Sequence, residues 1–111
     1  LTRDHSLVQR LQELGQLTPA EAAVHPQRNV LYRAIGQGEG LEIDVNMYRL
    51  TAGMKILMCS DGLWGLVNEK QMLDIVWNAS NLQTACNKLV EAANDAGGPD
   101  NITAVLIEYS P

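Results

Sequence analysis

Two aspartates occupy matching positions in the chain, and their type and setting suit them to binding a cation. Asp61 lies in a Ser-Asp-Gly sequence that follows an apolar run at residues 55–59. Asp100 lies in a Gly-Gly-Pro-Asp-Asn sequence that precedes an apolar run at residues 102–107. Each carboxylate marks the point where a predicted strand meets a glycine-rich turn, which leaves the side chain open to solvent. Two such carboxylates at one end of a sheet would supply half of a site for a hard cation.

The competing interpretation is a turn aspartate whose carboxylate accepts hydrogen bonds from nearby backbone N–H groups. Asn101, next to Asp100, suits a turn-stabilising role better than a ligand role. Ser60, next to Asp61, has the chemical type of a nucleophile, but no histidine lies near it in the sequence to activate it. We therefore expect the Ser60 hydroxyl to be structural.

Capping sequences predict where the helices begin. Thr18, Pro19 and Glu21 form a capping-box sequence, which predicts a short helix that ends before Pro26. The other three predicted helices are a short one between Ser6 and Gly15, one from Asn68 to Trp77, and one from Ser80 or Asn81 to Gly97.

Strands are predicted at residues 29–35, 41–50, 55–60 and 102–109. Residues 41–50 alternate between apolar and polar types, which indicates a half-exposed strand. Residues 55–60 are continuously apolar after Lys55, which predicts a strand covered on both faces. Amphipathic helices packed on a sheet indicate an α+β fold.

Composition excludes several classes of protein. Apolar residues make up 46% of the 111 residues, as in a globular domain, and no phenylalanine is present. The net charge of −5 argues against nucleic acid as the main partner, because phosphate binding needs a basic surface. No apolar stretch approaches membrane-spanning length. Cys59 and Cys86, the two cysteines, fit buried thiols in a reducing compartment, which favours a cytoplasmic protein or cytoplasmic domain.

Four blocks together resemble the carboxyl-terminal part of the metal-dependent protein Ser/Thr phosphatases, the type 2C class in its bacterial form. The likeness covers nearly the whole chain, and the four blocks follow in the family's order. They are Leu1-Thr2-Arg3-Asp4-His5-Ser6, residues 25–36 with His25-Pro26-Gln27-Arg28-Asn29, residues 57–64 with Ser60-Asp61-Gly62, and residues 98–103 with Asp100-Asn101.

The resemblance implies a fold and a mechanism. The fold is part of an αββα four-layer sandwich, in which antiparallel sheets are flanked by helices, truncated on its amino-terminal side. The mechanism is attack on phosphoserine or phosphothreonine by a water that a binuclear Mn²⁺ or Mg²⁺ centre activates. Asp61 and Asp100 then correspond to ligands of the second metal, and residues 5–30 to a flap-like helical insert that tunes substrate access.

The resemblance also implies that part of the active site is absent from this chain. The bridging aspartate, the phosphate-binding arginine and the catalytic histidine belong to family segments expected before Leu1, so no catalytic residue is assigned here. His5 and His25 do not match the catalytic histidine. We expect residues 1–111, the carboxyl-terminal half of a catalytic domain, to be inactive alone.

The same resemblance implies partners for the protein, and one alternative function stays open. The resemblance implies phosphorylated Ser/Thr proteins as substrates and a Ser/Thr kinase as the opposing enzyme. The alternative is a non-catalytic pseudophosphatase or regulatory binding module of the same fold. Half of a two-sheet sandwich leaves apolar surface and strand edges uncovered, so the isolated chain is expected to dimerise, exchange strands or aggregate. Arg28 and Arg33 are expected to pair with acids or to lie in solvent, rather than to bind a phosphopeptide.

Overall fold

The computed structural model describes all residues from Leu1 to Pro111. The chain forms two compact units, Leu1–Met47 and Tyr48–Pro111. None of the helices is both long and apolar enough to cross a membrane. Both cysteines are free thiols, but each is only partly buried, whereas buried thiols were predicted.

The first unit contains two short helices that begin where the capping sequences predict. Helix α1, Leu7–Glu13, is capped by Ser6, whose hydroxyl accepts a hydrogen bond from the Gln9 N–H. Helix α2, Pro19–Ala23, has a complete capping box, because Thr18 and Glu21 each bond the other's backbone N–H. Val8 of α1 and Ala22 of α2 are buried.

The two ends of the segment that carries α1 and α2 lie side by side. We call this contact, between residues 5–7 and residues 30–32, the neck. The strand predicted at residues 29–35 is reduced there to a single antiparallel bridge between Ser6 and Leu31. The chain before residue 6 provides no ladder long enough to pair the rest of that segment, so the prediction of a strand was wrong. Two backbone hydrogen bonds flank the bridge: Leu7 N–H to the Val30 carbonyl, 2.8 Å, and Tyr32 N–H to the His5 carbonyl, 3.0 Å.

The strand predicted at residues 41–50 is also absent. These residues have no ladder partner within the chain and adopt no regular secondary structure. Their apolar side chains are largely in solvent, with Ile43 76% and Met47 96% exposed. Alternation favours a strand only when a neighbouring strand pairs with it, and this chain supplies none.

The second unit is a two-stranded antiparallel sheet with three helices. Residue Cys59 at the end of the first strand pairs with Ala104 at the start of the second, and Lys55 pairs with Glu108. The elements are β1 Lys55–Cys59, α3 Asp61–Trp64, α4 Glu69–Asn78, α5 Leu82–Asp95 and β2 Ala104–Glu108. Asn68 caps α4 and Asn81 caps α5, as predicted.

The core lies on one face of this sheet. Leu63, Val67, Leu89 and Ala93 are buried together, and they are packed against partly buried residues of the strands and helices. The other face carries the alternate side chains of both strands and is open.

The strand at residues 55–60 is therefore not covered on both faces, contrary to the prediction. Met58 is 52% exposed, and Val105 and Ile107 on β2 are also exposed. Since Met58 pairs with Val105 and Ile56 with Ile107, these side chains form a continuous apolar patch, the open sheet face.

Candidate metal centre

Asp61 begins a short helix rather than a turn. It is the first residue of α3, directly after β1, and its carboxylate lies on the surface. Ser60 takes the extended backbone conformation of a helix cap, but its side chain makes no capping hydrogen bond to α3. The Ser60 hydroxyl bonds the segment that follows Asp100 instead.

Ser60 joins the Asp61 segment to the Asp100 segment. Its N–H donates to the Thr103 carbonyl at 3.0 Å, and its Oγ accepts from the Thr103 N–H at 3.0 Å. The same hydroxyl donates to the Asn101 carbonyl at 3.3 Å. These contacts give Ser60 a structural role, as predicted, and they place the two aspartate-bearing segments side by side.

Gly62 makes the close approach possible. A Cβ at this position would collide with the backbone carbonyl of Asn101. The backbone of Gly62 is not in the left-handed region, so space rather than conformational freedom requires glycine here. Gly62 is buried, and the first turn of α3 packs directly on the turn that carries Asp100.

Asp100 lies on a turn shaped by two glycines. Gly97 has φ +121° and Gly98 has φ +46°. Residues with a Cβ rarely adopt these backbone conformations, whereas glycine adopts them readily. The Asp100 carboxylate is exposed, and its Oδ1 accepts a hydrogen bond from the Asn101 N–H at 2.7 Å. That contact fits the turn-aspartate interpretation, and Asn101 uses backbone groups to stabilise the turn, as expected.

The two histidines have local partners. His5 Nε2 lies 2.8 Å from Asp44 Oδ2, and His25 Nδ1 accepts a hydrogen bond from the Gln27 N–H at 3.1 Å. Each histidine thus has a partner within its own unit of the chain.

Proteins similar to this chain are bacterial phosphatases. The protein phosphatase PhpP of Streptococcus pneumoniae is 43% identical over 110 residues, which make up 99% of this chain and 45% of that protein. The Ser/Thr phosphatase stp of Listeria monocytogenes is 37% identical over 108 residues, 97% of this chain and 43% of that protein. No protein-family profile matches the chain.

Solved structures with this fold are phosphatases as well. The Streptococcus agalactiae Ser/Thr phosphatase matches with a TM-score of 0.92 and 37% identity, over 98% of this chain and 46% of that one. The Mycobacterium tuberculosis phosphatase PstP/Ppp matches with a TM-score of 0.90 and 35% identity, over all of this chain and 46% of that one. Over nearly its whole length, the chain is similar to bacterial type 2C protein Ser/Thr phosphatases.

The match falls on the carboxyl-terminal part of the catalytic domain of these phosphatases. It spans about half the length of the relatives it matches. Helices on a small antiparallel sheet, matched to catalytic domains of the family, confirm the predicted α+β fold. A PstP catalytic domain that matches with a TM-score of 0.85 and 32% identity is in complex with two manganese ions.

The donor chemistry of this chain fits part of a metal site. Asp61 and Asp100 offer exposed carboxylates on adjoining segments, and carboxylate oxygens are the ligands that Mn²⁺ and Mg²⁺ take. Hard divalent cations need about six oxygen ligands in total. No group of three or more His, Cys, Asp or Glu side chains that could hold a metal occurs in the chain. The pair is thus suited to contribute ligands and too small to form a centre by itself.

Sequence reasoning missed one cluster altogether. Asp44 lies in the segment that was predicted as a half-exposed strand, yet its carboxylate pairs with both His5 and Arg33. Arg33 also pairs with Glu42, so the expectation that Arg33 pairs with acids is correct. The partners lie 11 and 39 residues from Asp44 in the chain, and no short motif reports such contacts.

Proposed function

We propose that this chain is the carboxyl-terminal half of a catalytic domain that hydrolyses phosphoserine and phosphothreonine in proteins. The observation that carries the proposal is the contact between the Ser60–Gly62 segment and the Asp100–Thr103 segment, in a chain up to 43% identical to bacterial Ser/Thr phosphatases. This contact holds two carboxylates at one end of the sheet, where each can contribute an oxygen to a cation.

Asp61 and Asp100 are the proposed ligands, in the second metal position of a binuclear Mn²⁺ or Mg²⁺ centre. When bound, such ions lower the pKa of a water molecule and neutralise charge on the phosphoryl group. The chain's own contribution is placement. Ser60 ties the two ligand segments together, and Gly62 lets their backbones touch. Exposed carboxylates leave room for a metal and its waters.

The remaining ligands and the phosphate-binding group are proposed to come from the other half of the catalytic domain. Residues 1–111 alone would then lack the bridging aspartate and would be inactive. Residues 5–30 are the proposed flap-like insert, which selects among phosphoprotein substrates. We place the domain in the cytoplasm, with a Ser/Thr kinase as its opposing enzyme, and both free cysteines support a reducing location.

The alternative is a pseudophosphatase or regulatory module of the same fold. Retention of both acidic positions disfavours it, since a module that only binds partners has no need for them. Titration calorimetry of the full-length parent with Mn²⁺ separates the two: the enzyme binds the ion, and a module that has lost its centre does not.

The proposal is tested with p-nitrophenyl phosphate and Mn²⁺, using the full-length parent protein. Asp61→Asn and Asp100→Asn each remove one charged ligand, so kcat/KM should fall by at least about 100-fold. Asp74→Asn is the matched control, because Asp74 is an exposed aspartate on α4, outside both ligand segments. Activity retained in both ligand variants would refute the site assignment, and an inactive parent would refute the function.

A further inference from the structure

The neck of the proposed flap-like insert is bridged by one carboxylate from outside it. Asp44 Oδ2 lies 2.8 Å from His5 Nε2, and Asp44 Oδ1 accepts a hydrogen bond from Arg33 Nη1 at 2.7 Å. His5 precedes the insert's first helix, and Arg33 follows its last residues. Asp44 therefore contacts the entry and the exit of the insert at the same time.

A second acid completes the arrangement. Arg33 Nη2 lies 2.9 Å from Glu42 Oε2, so the guanidinium is shared between two carboxylates. We call the four residues His5, Arg33, Glu42 and Asp44 the Asp44 clasp. Tyr32 lies against it, with its ring centre 5.6 Å from that of His5 and 5.8 Å from the Arg33 Cζ.

The clasp differs from a scattered surface ion pair. Isolated surface pairs contribute little, because both side chains move freely and water screens them. Here the Arg33 side chain is only 16% exposed. Its planar fork faces two acids in fixed directions, a geometry that lysine cannot reproduce. The hydrogen bonds from Arg33, and secondarily His5, hold the pKa of Asp44 below its usual value, so Asp44 stays ionised.

The clasp also shapes a neighbouring cleft. Arg33, Glu42 and Tyr32 form part of the wall of a cleft of about 600 Å³, and Arg10 of α1 lies on the wall as well. The rest of its lining includes Gln37 and the loop that follows. A change in the neck would therefore change the width of a polar groove large enough for a few residues of a peptide.

We propose that Asp44 is a positioning residue, which holds the neck of the insert in one conformation and thereby favours protein substrates over small phosphate esters. The proposal rests on the phosphatase function proposed above. A small ester needs only the metal centre, whereas a phosphoprotein must also fit the groove beside the neck. Loss of the clasp should accordingly affect the two substrate classes unequally.

The test compares Asp44→Asn with the wild-type parent on p-nitrophenyl phosphate and on a phosphothreonine peptide. Asparagine keeps the shape and removes the charge. We expect KM for the peptide to rise by about threefold to tenfold, a range typical of residues that act through neighbours. Values of kcat/KM for p-nitrophenyl phosphate should stay unchanged. Limited proteolysis within residues 5–30 should become faster, a readout that does not depend on activity.

Matched variants separate the clasp from a general loss of surface charge. Asp74→Asn removes an exposed acid on α4 that belongs to neither the clasp nor the cleft, so it should behave like the wild type. Arg33→Lys keeps the charge but loses the fork, and it should reproduce the peptide effect at smaller size. The proposal for Asp44 would be overturned if Asp44→Asn lost kcat/KM equally on both substrates. It would also be overturned if neither the peptide KM nor the rate of proteolysis changed. A wild-type parent without phosphatase activity would instead overturn the proposed function, while the proteolysis result would still report on the neck.

Discussion

At the scale of single residues, the candidate site depends on two small residues as much as on its acids. Ser60 and Gly62 do no chemistry, but they determine how closely the segments of Asp61 and Asp100 approach. Motif reasoning identified both acids and the structural role of Ser60. It could not foresee that Gly62 is required for space, because the obstacle is the carbonyl of Asn101, 39 positions later in the sequence.

Replacement of Gly62 by alanine should therefore damage the site without touching an acid. The new Cβ meets backbone that cannot rotate away, so we expect a loss of stability of about 1–3 kcal/mol and weaker Mn²⁺ binding. Thermal unfolding and calorimetry of the full-length parent measure both.

Gly40→Ala is the control variant: its Cβ would meet nothing, but its φ is +80°. That variant should lose about 1 kcal/mol through backbone strain and keep its Mn²⁺ affinity. Unchanged stability and affinity in Gly62→Ala would contradict the packing argument.

At the scale of elements, the four capped helices and the strands β1 and β2 form where they were predicted, whereas two further predicted strands do not form and α3 was not predicted. The caps at Ser6, Thr18, Asn68 and Asn81 are local signals, and each lies where the sequence indicates. The segments 29–35 and 41–50 have strand-like patterns, but a strand needs a hydrogen-bonded neighbour, and the pattern alone does not supply one. β1 is apolar after Lys55, but it has one open face because the helices of this unit pack on the opposite face alone.

The cap of α4 gives a prediction at this scale. The Asn68 side chain accepts a hydrogen bond from the Gln71 N–H at 2.9 Å. Asn68→Ala leaves that N–H without its partner, and we expect it to reduce the free energy of unfolding by about 1 kcal/mol. Denaturant titration of the parent measures the change. Asn68→Asp is the control, since it retains an acceptor and adds charge at the helix amino terminus, so its stability should equal or exceed that of the wild type. A loss in Asn68→Asp as large as that in Asn68→Ala would show that the cap is not the cause.

At the scale of the whole molecule, the open sheet face decides how the chain behaves. It presents Ile56, Met58, Val105 and Ile107 on two paired strands that lack further neighbours. The relatives that the chain matches are about twice as long as the chain itself. A two-stranded sheet with an uncovered apolar face is prone to pair with another copy.

We predict that residues 1–111, produced alone, self-associate at micromolar concentration. Sedimentation velocity should show dimers or larger species whose proportion rises with protein concentration. The double variant Val105→Lys and Ile107→Lys places two charges on the open sheet face and should shift the chain towards monomer. The matched control is Val45→Lys and Met47→Lys, which adds the same charge to exposed residues outside the sheet. A wild-type chain that stays monomeric at all concentrations would contradict this prediction.

The bonds between Ser60 and Thr103 also have a kinetic consequence. These residues are 43 positions apart, and α4 and α5 lie between them. Local contacts allow the two helices to form early, whereas the pairing of β1 with β2 must first close this long loop. The two aspartates therefore come together in a late step of folding, after most helical structure exists. A metal ion present during folding would then encounter separate carboxylates until β2 pairs with β1, so metal binding should follow assembly of this unit rather than nucleate it.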